Sequence, residues 1–189
     1  MIQNLFSMTG KVCLITGGSS GLGSYMAAGF LAAGAERVFI TGRSEDKLSK
    51  KADELSALSE GQCIGISGDL SDLEGVQALA DAISQRESHL DVLVNNAGLG
   101  LGTQIETMTA KAWDKSMSLN TRSPLFLTQA LLELLKAKAT LDDPSRIIFI
   151  SSVAASGVLP SVLAYSTSKK AVEHLTPSLA LALTDDFIR

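Results

Sequence analysis

The sequence predicts an α/β domain: a doubly wound parallel sheet with helices on both faces. Short Val- and Ile-rich runs alternate with helix-length segments from residue 11 onward, and such alternation implies right-handed βαβ crossovers and therefore parallel strands. The runs are apolar at successive positions, the pattern of strands buried on both faces. A chain of 189 residues with 46% hydrophobic and 19% charged side chains makes one soluble domain with a substantial core.

In chain order, strands are predicted over 11–16, 37–41, 62–67, 91–95 and 146–151. Helices are predicted over 21–33, 45–58 and 73–86, and a long one over 109–139 is expected to break near Ser123-Pro124, because proline removes a backbone donor and disfavours helix in the residue before it. A last helix over 162–183 carries Ala171, Leu175, Leu179 and Leu183 at the spacing of a buried face. Pro177 falls inside it, where it removes a hydrogen bond to Glu173 and costs ~3 kcal/mol unless the helix kinks. Phe187-Ile188 then reads like the start of another strand. No repeat, charge block or low-complexity linker divides the chain, so residues 1–189 are read as a single domain.

Sixteen Lys+Arg against twenty Asp+Glu give a net charge of −4, which argues against nucleic acid or an anionic membrane as partner. Any bound phosphate must then be held by a local device. No apolar run is long enough to span a bilayer, and the first eight residues lack the basic start of a secretory leader. Cys13 and Cys63 lie in the first and third strands. With the second strand between them they would stand roughly 10 Å apart, beyond disulfide reach, so they read as small core residues of a cytoplasmic protein. With His89 and His174 distant, no metal-ligand spacing is present and no metal is expected. Both histidines read as structural residues.

The local device is the turn Thr16-Gly17-Gly18-Ser19-Ser20-Gly21-Leu22-Gly23, which follows the first strand and opens the first helix. Glycines there allow a tight turn and close approach of backbone to a pyrophosphate, and the helix N-terminus supplies free N–H groups and partial positive charge. The spacing is Gly-x3-Gly-x-Gly rather than Gly-x-Gly-x-x-Gly. Glu36 has about the offset of the acidic residue that takes a ribose hydroxyl, but it precedes the second strand, whereas the contact is made beyond a strand's carboxyl end. The residues at that end are Thr41-Gly42-Arg43-Ser44. No carboxylate there repels a 2′-phosphate and Arg43 can pair with one, which favours NADP(H) over NAD(H).

Tyr165 and Lys169 are four apart at the start of the last helix and share a face. They lie beyond the carboxyl end of the fifth strand, which Ser151-Ser152 closes, and open parallel sheets bind ligands at that edge. With these residues assembled, the chain from about Gly10 onward resembles the short-chain dehydrogenase/reductase family, a group of Rossmann-like enzymes. The glycine turn is similar to the family's cofactor motif, and Asn95-Asn96-Ala97-Gly98 to its second signature. The resemblance implies cofactor contacts from Gly17, Ser19, Ser20, Gly21, Leu22, Gly23, Arg43, Asp69, Leu70, Asn96, Ala97, Gly98, Tyr165 and Lys169, with Asp69 on the adenine. It places the catalytic tetrad at Asn120, Ser152, Tyr165 and Lys169, Ser152 being preferred to Ser151 because it lies thirteen residues before Tyr165.

The implied reaction moves hydride between a nicotinamide and a carbonyl carbon while Tyr165 exchanges a proton with the oxygen. Lys169, one turn on, favours the phenolate and holds the nicotinamide ribose. Ser152 hydrogen-bonds the oxyanion, and Asn120 holds a water that relays protons past Lys169. Leu99-Gly100-Leu101-Gly102 and the stretch from Val153 to Leu159 offer uncharged, small or apolar lining, which suits an aliphatic ketone or 3-oxoacyl chain. Within the family the chain is most similar to NADP-dependent 3-oxoacyl-[acyl-carrier-protein] reductases, including the rhamnolipid-biosynthesis type. Homo-oligomers through the last helices are also implied. Family members continue beyond this point into a sixth strand, a Pro-Gly turn, a substrate-covering helical segment and a seventh strand. The resemblance thus predicts a domain lacking its last strands, with the fifth strand an uncovered edge. The competing expectation is a catalytically impaired NADP-binding fragment or regulatory product.

Overall fold

The computed structural model describes residues 6–189; the leader reading rests mainly on positions outside that range. The chain runs β1 (Val12–Ile15), α1 (Gly21–Ala32), β2 (Arg37–Gly42), α2 (Glu45–Ser56), β3 (Gln62–Ser67), α3 (Leu73–Ser84), β4 (Val92–Asn95), α4 (Ala110–Met117), α5 (Ser123–Ala130), α6 (Leu132–Lys136), β5 (Arg146–Phe149) and α7 (Leu163–Ala182). The five strands form one parallel sheet in the order β3-β2-β1-β4-β5.

Successive side chains on a strand point to opposite faces, and the core divides accordingly. Val12, Leu14, Phe39 and Leu93 pack with Val76, Leu79 and Ile83 of α3, Leu127 of α5 and Leu135 of α6. Cys13, Ile15, Val38, Ile40, Val92 and Val94 pack on the other side with Ala27 and Leu31 of α1 and Leu48, Ala52 and Leu55 of α2. Val38 stands beside both Cys13 and Cys63, so β2 does separate the two cysteines. Burial pushes the Cys13 thiol up to about 12 and that of Cys63 up to about 11, and both stay protonated at neutral pH.

Three sequence expectations are corrected here. Burial on both faces holds for β1 and β4, whereas β3 and β5 alternate between more and less exposed positions, because they are the edge strands. The outer edge of β5 is not bare: Ile188 pairs with Ser145 in parallel, the Arg189 N–H donates to the Ser145 carbonyl at 2.9 Å, and the Ile147 N–H donates to the Arg189 carbonyl at 2.8 Å. The strand-like reading of Phe187-Ile188 therefore holds for Ile188, whereas Phe187 has a left-handed backbone with φ of 54°. The long helical segment is interrupted near Ser123-Pro124 as expected: α4 passes into a π-helical turn over Ser118–Arg122, and α5 begins at Ser123 with Pro124 in its first turn. Finally, α7 remains one helix across Pro177, and its buried residues are Ala164, Ser168, Lys169 and Val172. The stripe of Ala171, Leu175, Leu179 and Leu183 is only half-buried.

At the amino-terminal rim of the sheet, Lys11 donates to Asp143 at 2.6 Å and to Asp91 at 3.2 Å, while Asp91 also accepts the Val12 N–H at 2.8 Å. His89 lies in the same rim, 3.4 Å from Asp91 and 3.2 Å from the Lys138 ammonium. Burial alone pulls the Lys11 ammonium down, but hydrogen bonds and charge from Asp143 and Asp91 outweigh it and leave its pKa above the ordinary 10.5. A cation whose pKa is raised by folding stabilises the native state below its unfolded pKa, and loses that contribution as pH climbs through the folded value. Melting temperatures of wild type and Lys11→Met should accordingly differ at neutral pH and converge above pH 10.5. A gap that stays constant across that range would show that Lys11 acts through packing alone. Glu36 pairs with Arg37 at 3.1 Å, at the rim opposite to the one where a ribose would bind.

Candidate active site

Strand order reverses between β1 and β4: the connections from β1 through β3 run one way across the sheet, and the chain then returns to build β4 and β5 on the other side. The loops leaving β1 and β4 diverge there and open a crevice at the carboxyl edge. Its volume is about 980 Å³.

The glycine turn forms one wall. Gly17 and Gly21 have positive φ of 72° and 57°, a conformation that disfavours any residue with a Cβ. A Cβ at Gly23 would run into the Gly17 carbonyl oxygen and come within 2.8 Å of Asn96 Nδ2. The turn is tied to the loop after β4 through Thr16 and Asn96. Thr16 Oγ1 accepts the N–H of Asn96 at 3.0 Å and that of Ala97 at 2.9 Å, and Asn96 Nδ2 donates to the carbonyls of Thr16 at 2.8 Å and Gly17 at 3.2 Å.

Helix α1 opens at this wall. Ser20 makes no side-chain capping bond and the first turn carries no acidic residue. By contrast α2 opens with Glu45 and Asp46, and α3 is capped by Asp72, which accepts the Gly75 N–H at 2.7 Å. The N–H groups and partial positive charge of α1 are thus left for a ligand anion.

The crevice is lined by Gly17, Ser19, Ser20, Leu22, Arg43, Asp69, Leu70, Asn96, Ala97 and Gly98, all picked out in the sequence. Gly21 and Gly23 shape the turn without lining the crevice. The Ser71 backbone N–H, 2.9 Å from Asp69 Oδ1, and the Ser71 hydroxyl hold the Asp69 carboxyl below its usual range, with Arg43 and Lys115 adding to the effect. Lys111, Asp114 and Lys115 of α4 supply a wall that sequence reading did not anticipate; a charged stretch on a surface helix gives no local sign that it faces a cleft.

Three of the four tetrad positions, Asn120, Tyr165 and Lys169, lie against the glycine-rich strap 98–102. Lys169 is 5% exposed; its ammonium donates to the Ile150 carbonyl at 2.6 Å and stands 6.0 Å from the centre of the Tyr165 ring. Burial lowers the Lys169 pKa. A Cβ at Gly98 would stand 3.5 Å from Lys169 Nζ and 3.1 Å from Asn120 Oδ1, and one at Gly100 would stand 3.7 Å from the Tyr165 ring. The tight approach is the one at Gly98, where a Cβ would crowd the Asn120 carboxamide. Ser152 begins a 3-10 turn over Val153–Ala155 two residues past Ile150 and accepts the Ala154 N–H at 3.2 Å.

Asn120 is placed by the π-helical turn and is buried. Its Oδ1 accepts the Leu99 N–H and its Nδ2 donates to the Leu99 carbonyl and the Ser168 hydroxyl, each at 2.9 Å. Both amide hydrogens are therefore committed. Ser151, the alternative to Ser152, is engaged elsewhere, donating to Glu173 at 3.3 Å. Among the described residues, no three metal-ligating side chains converge and no helix is long and apolar enough to cross a membrane.

An open parallel sheet with an anion-ready helix at its switch point defines a dinucleotide-binding α/β protein. The chain belongs to the short chain dehydrogenase family, whose pattern matches residues 11–189, and is therefore of an oxidoreductase family. It is 41% identical over 184 residues to the rhamnolipids biosynthesis 3-oxoacyl-[acyl-carrier-protein] reductase of Pseudomonas aeruginosa, a match covering 97% of this chain and 71% of that protein. The solved Pseudomonas aeruginosa RhlG/NADP active-site complex superposes with a TM-score of 0.92 at 39% identity, covering 97% of this chain and 71% of that one. L-sorbose reductase from Gluconobacter frateurii, solved with NADPH and L-sorbose, superposes with a TM-score of 0.91 at 28% identity, covering 97% of this chain and 68% of that one.

Proposed function

We propose that this domain transfers hydride between NADP(H) and an apolar ketone, 3-oxoacyl compound or corresponding secondary alcohol, with Tyr165 as general acid and base. The observation that carries the reading is the buried Lys169 ammonium, fixed beside the Tyr165 ring behind a strap of glycines. The cofactor's fit rests on the uncapped α1 terminus for the pyrophosphate, Arg43 for a 2′-phosphate and Asp69 at the adenosine end.

When bound, NADPH supplies the hydride that becomes the new C–H bond. Tyr165 gives its hydroxyl proton to the substrate oxygen, so the carbonyl gains one hydride and one proton and leaves as an alcohol. Lys169 offsets the negative charge left on the phenolate. Ser152 donates to the substrate oxygen as charge gathers there. Asn120 fixes the wall opposite, through Leu99. Val153, next to Ser152 in the chain, and Val158 are almost fully exposed, and offer uncharged surface to an acyl chain. Support for the substrate class also comes from similarity to the Pseudomonas reductase.

The test is NADPH and NADH binding by fluorescence, with cofactor oxidation followed over a panel of 3-oxoacyl thioesters, diketones and 2-oxo acids. NADPH should bind at least about tenfold more tightly than NADH, and Arg43→Ala should erase most of that preference, as expected for a lost charge-assisted contact. Preference for NADH, or best turnover with the 2-oxo acids, would overturn the assignment. Binding of NADPH with no turnover of any carbonyl would leave a cofactor-binding module.

A further inference from the structure

Ser168 has no part in the reaction just described, yet it is completely buried on the face of α7 that carries Lys169. An alanine would meet the packing requirement of that position equally well. What the hydroxyl adds is a two-way bond: it donates to the Tyr165 carbonyl at 2.7 Å and accepts from Asn120 Nδ2 at 2.9 Å. Because its hydrogen is spent on Tyr165, its oxygen faces Asn120 only as an acceptor. Asn120 must then present its NH₂ group to α7. That orientation turns the remaining N–H to the Leu99 carbonyl and Oδ1 to the Leu99 N–H, both at 2.9 Å. One carboxamide thus pairs with both backbone groups of a single residue.

Leu99 needs that grip. It is flanked by Gly98 and Gly100, and Gly102 follows; a run so rich in glycine loses more conformational entropy on ordering than other residues would. The same strap lies against Lys169 Nζ, Asn120 and the Tyr165 ring, and Leu99 lines the crevice. Thr121 Oγ1 also donates to the Ser168 carbonyl at 3.0 Å, so the hydroxyl and the carbonyl of Ser168 each bond a residue of the π-helical turn.

We propose that Ser168 is a positioning residue: its hydroxyl orients the Asn120 carboxamide, and Asn120 in turn clamps Leu99 and holds the glycine strap against Tyr165 and Lys169. The consequence for turnover rests on the reductase reading; the clamp itself does not.

The experiment compares wild type with Ser168→Ala, Asn120→Ala, the double variant and Ser166→Ala. Ser166 serves as control because its hydroxyl donates only within its own helix, to the Leu163 carbonyl at 3.1 Å. Amide exchange at Leu99 is read by NMR, NADPH affinity by fluorescence, and kcat and KM by cofactor oxidation. Ser168→Ala should speed Leu99 exchange and lower kcat, each by about tenfold, the scale of one lost hydrogen bond, with NADPH affinity within about twofold. Added to Asn120→Ala, it should change neither quantity further, since it acts through that residue. Ser166→Ala should match wild type. If the alanine variants do not fold, Ser168→Cys keeps the volume with a weaker hydrogen-bonding atom, and should show the same changes at smaller size. Unchanged Leu99 exchange in Ser168→Ala or Ser168→Cys, or losses that multiply with those of Asn120→Ala, would overturn the proposal. Should wild type reduce no carbonyl, the reductase reading fails and Leu99 exchange alone decides the clamp.

Discussion

Tyr165→Phe is expected to lower kcat by about 10²- to 10⁴-fold, the range for loss of a positioned general acid, while NADPH affinity stays within about twofold. The asymmetry follows from what the substitution removes. The ring packs against the Gly100 position and lies 6.0 Å from the Lys169 ammonium, and phenylalanine keeps both contacts. Only the hydroxyl disappears, and with it the proton that must reach the substrate oxygen as hydride reaches carbon. Single-turnover kinetics with bound NADPH would locate the loss in the chemical step. A variant retaining more than about a fifth of wild-type kcat would transfer the acid's role to another group, with Ser152 first in line.

Gly23→Ala should act on the cofactor instead. The added methyl has no room: it meets the Gly17 backbone oxygen and the Asn96 carboxamide, and those two groups already bond one another at 3.2 Å. Backbone cannot rotate aside as a side-chain tip can, so α1 must move away from the turn. Its N–H groups would then no longer face the phosphates together with the turn. NADPH affinity is expected to fall by at least about 100-fold, as several charge-assisted hydrogen bonds weaken at once. Overpacking of this size costs about 2 kcal/mol, a fall in Tm of about 6 °C for a chain of this length. Gly29 is the control, since a Cβ there meets no atom outside its own helix turn. NADPH binding by Gly23→Ala within about threefold of wild type would mean that the glycine turn is not the phosphate cradle.

Much of this architecture is legible from local patterns. The central strands fall where runs such as Val38-Phe39-Ile40 lie, because a strand covered on both faces must be apolar at every position, and the edge strands β3 and β5 keep enough of that pattern to be found. The glycine turn and the Tyr165/Lys169 spacing are local as well, one set by backbone conformation and the other by helical pitch. Legibility fails where a neighbour decides. Residues 171, 175, 179 and 183 have the right period for a buried stripe, yet the buried face of α7 carries Ser168 and Lys169, whose polar groups are satisfied by Asn120, Tyr165 and Ile150. Hydropathy patterns cannot find a polar face whose partners come from other parts of the chain. The π-helical turn that places Asn120 is equally silent, as its residues are compatible with ordinary helix.

The sequence by itself determined the order of strands and helices along the chain and the chemical groups held at the carboxyl edge. These follow from side-chain period, glycine conformation and spacing along one element. Tertiary structure alone decided the spatial strand order with its switch between β1 and β4, the burial of the Lys169 ammonium, and the commitment of the Asn120 carboxamide to Leu99 and Ser168. Each depends on hydrogen-bond and burial partners that lie far apart in sequence, and such pairings leave no periodic trace in the chain.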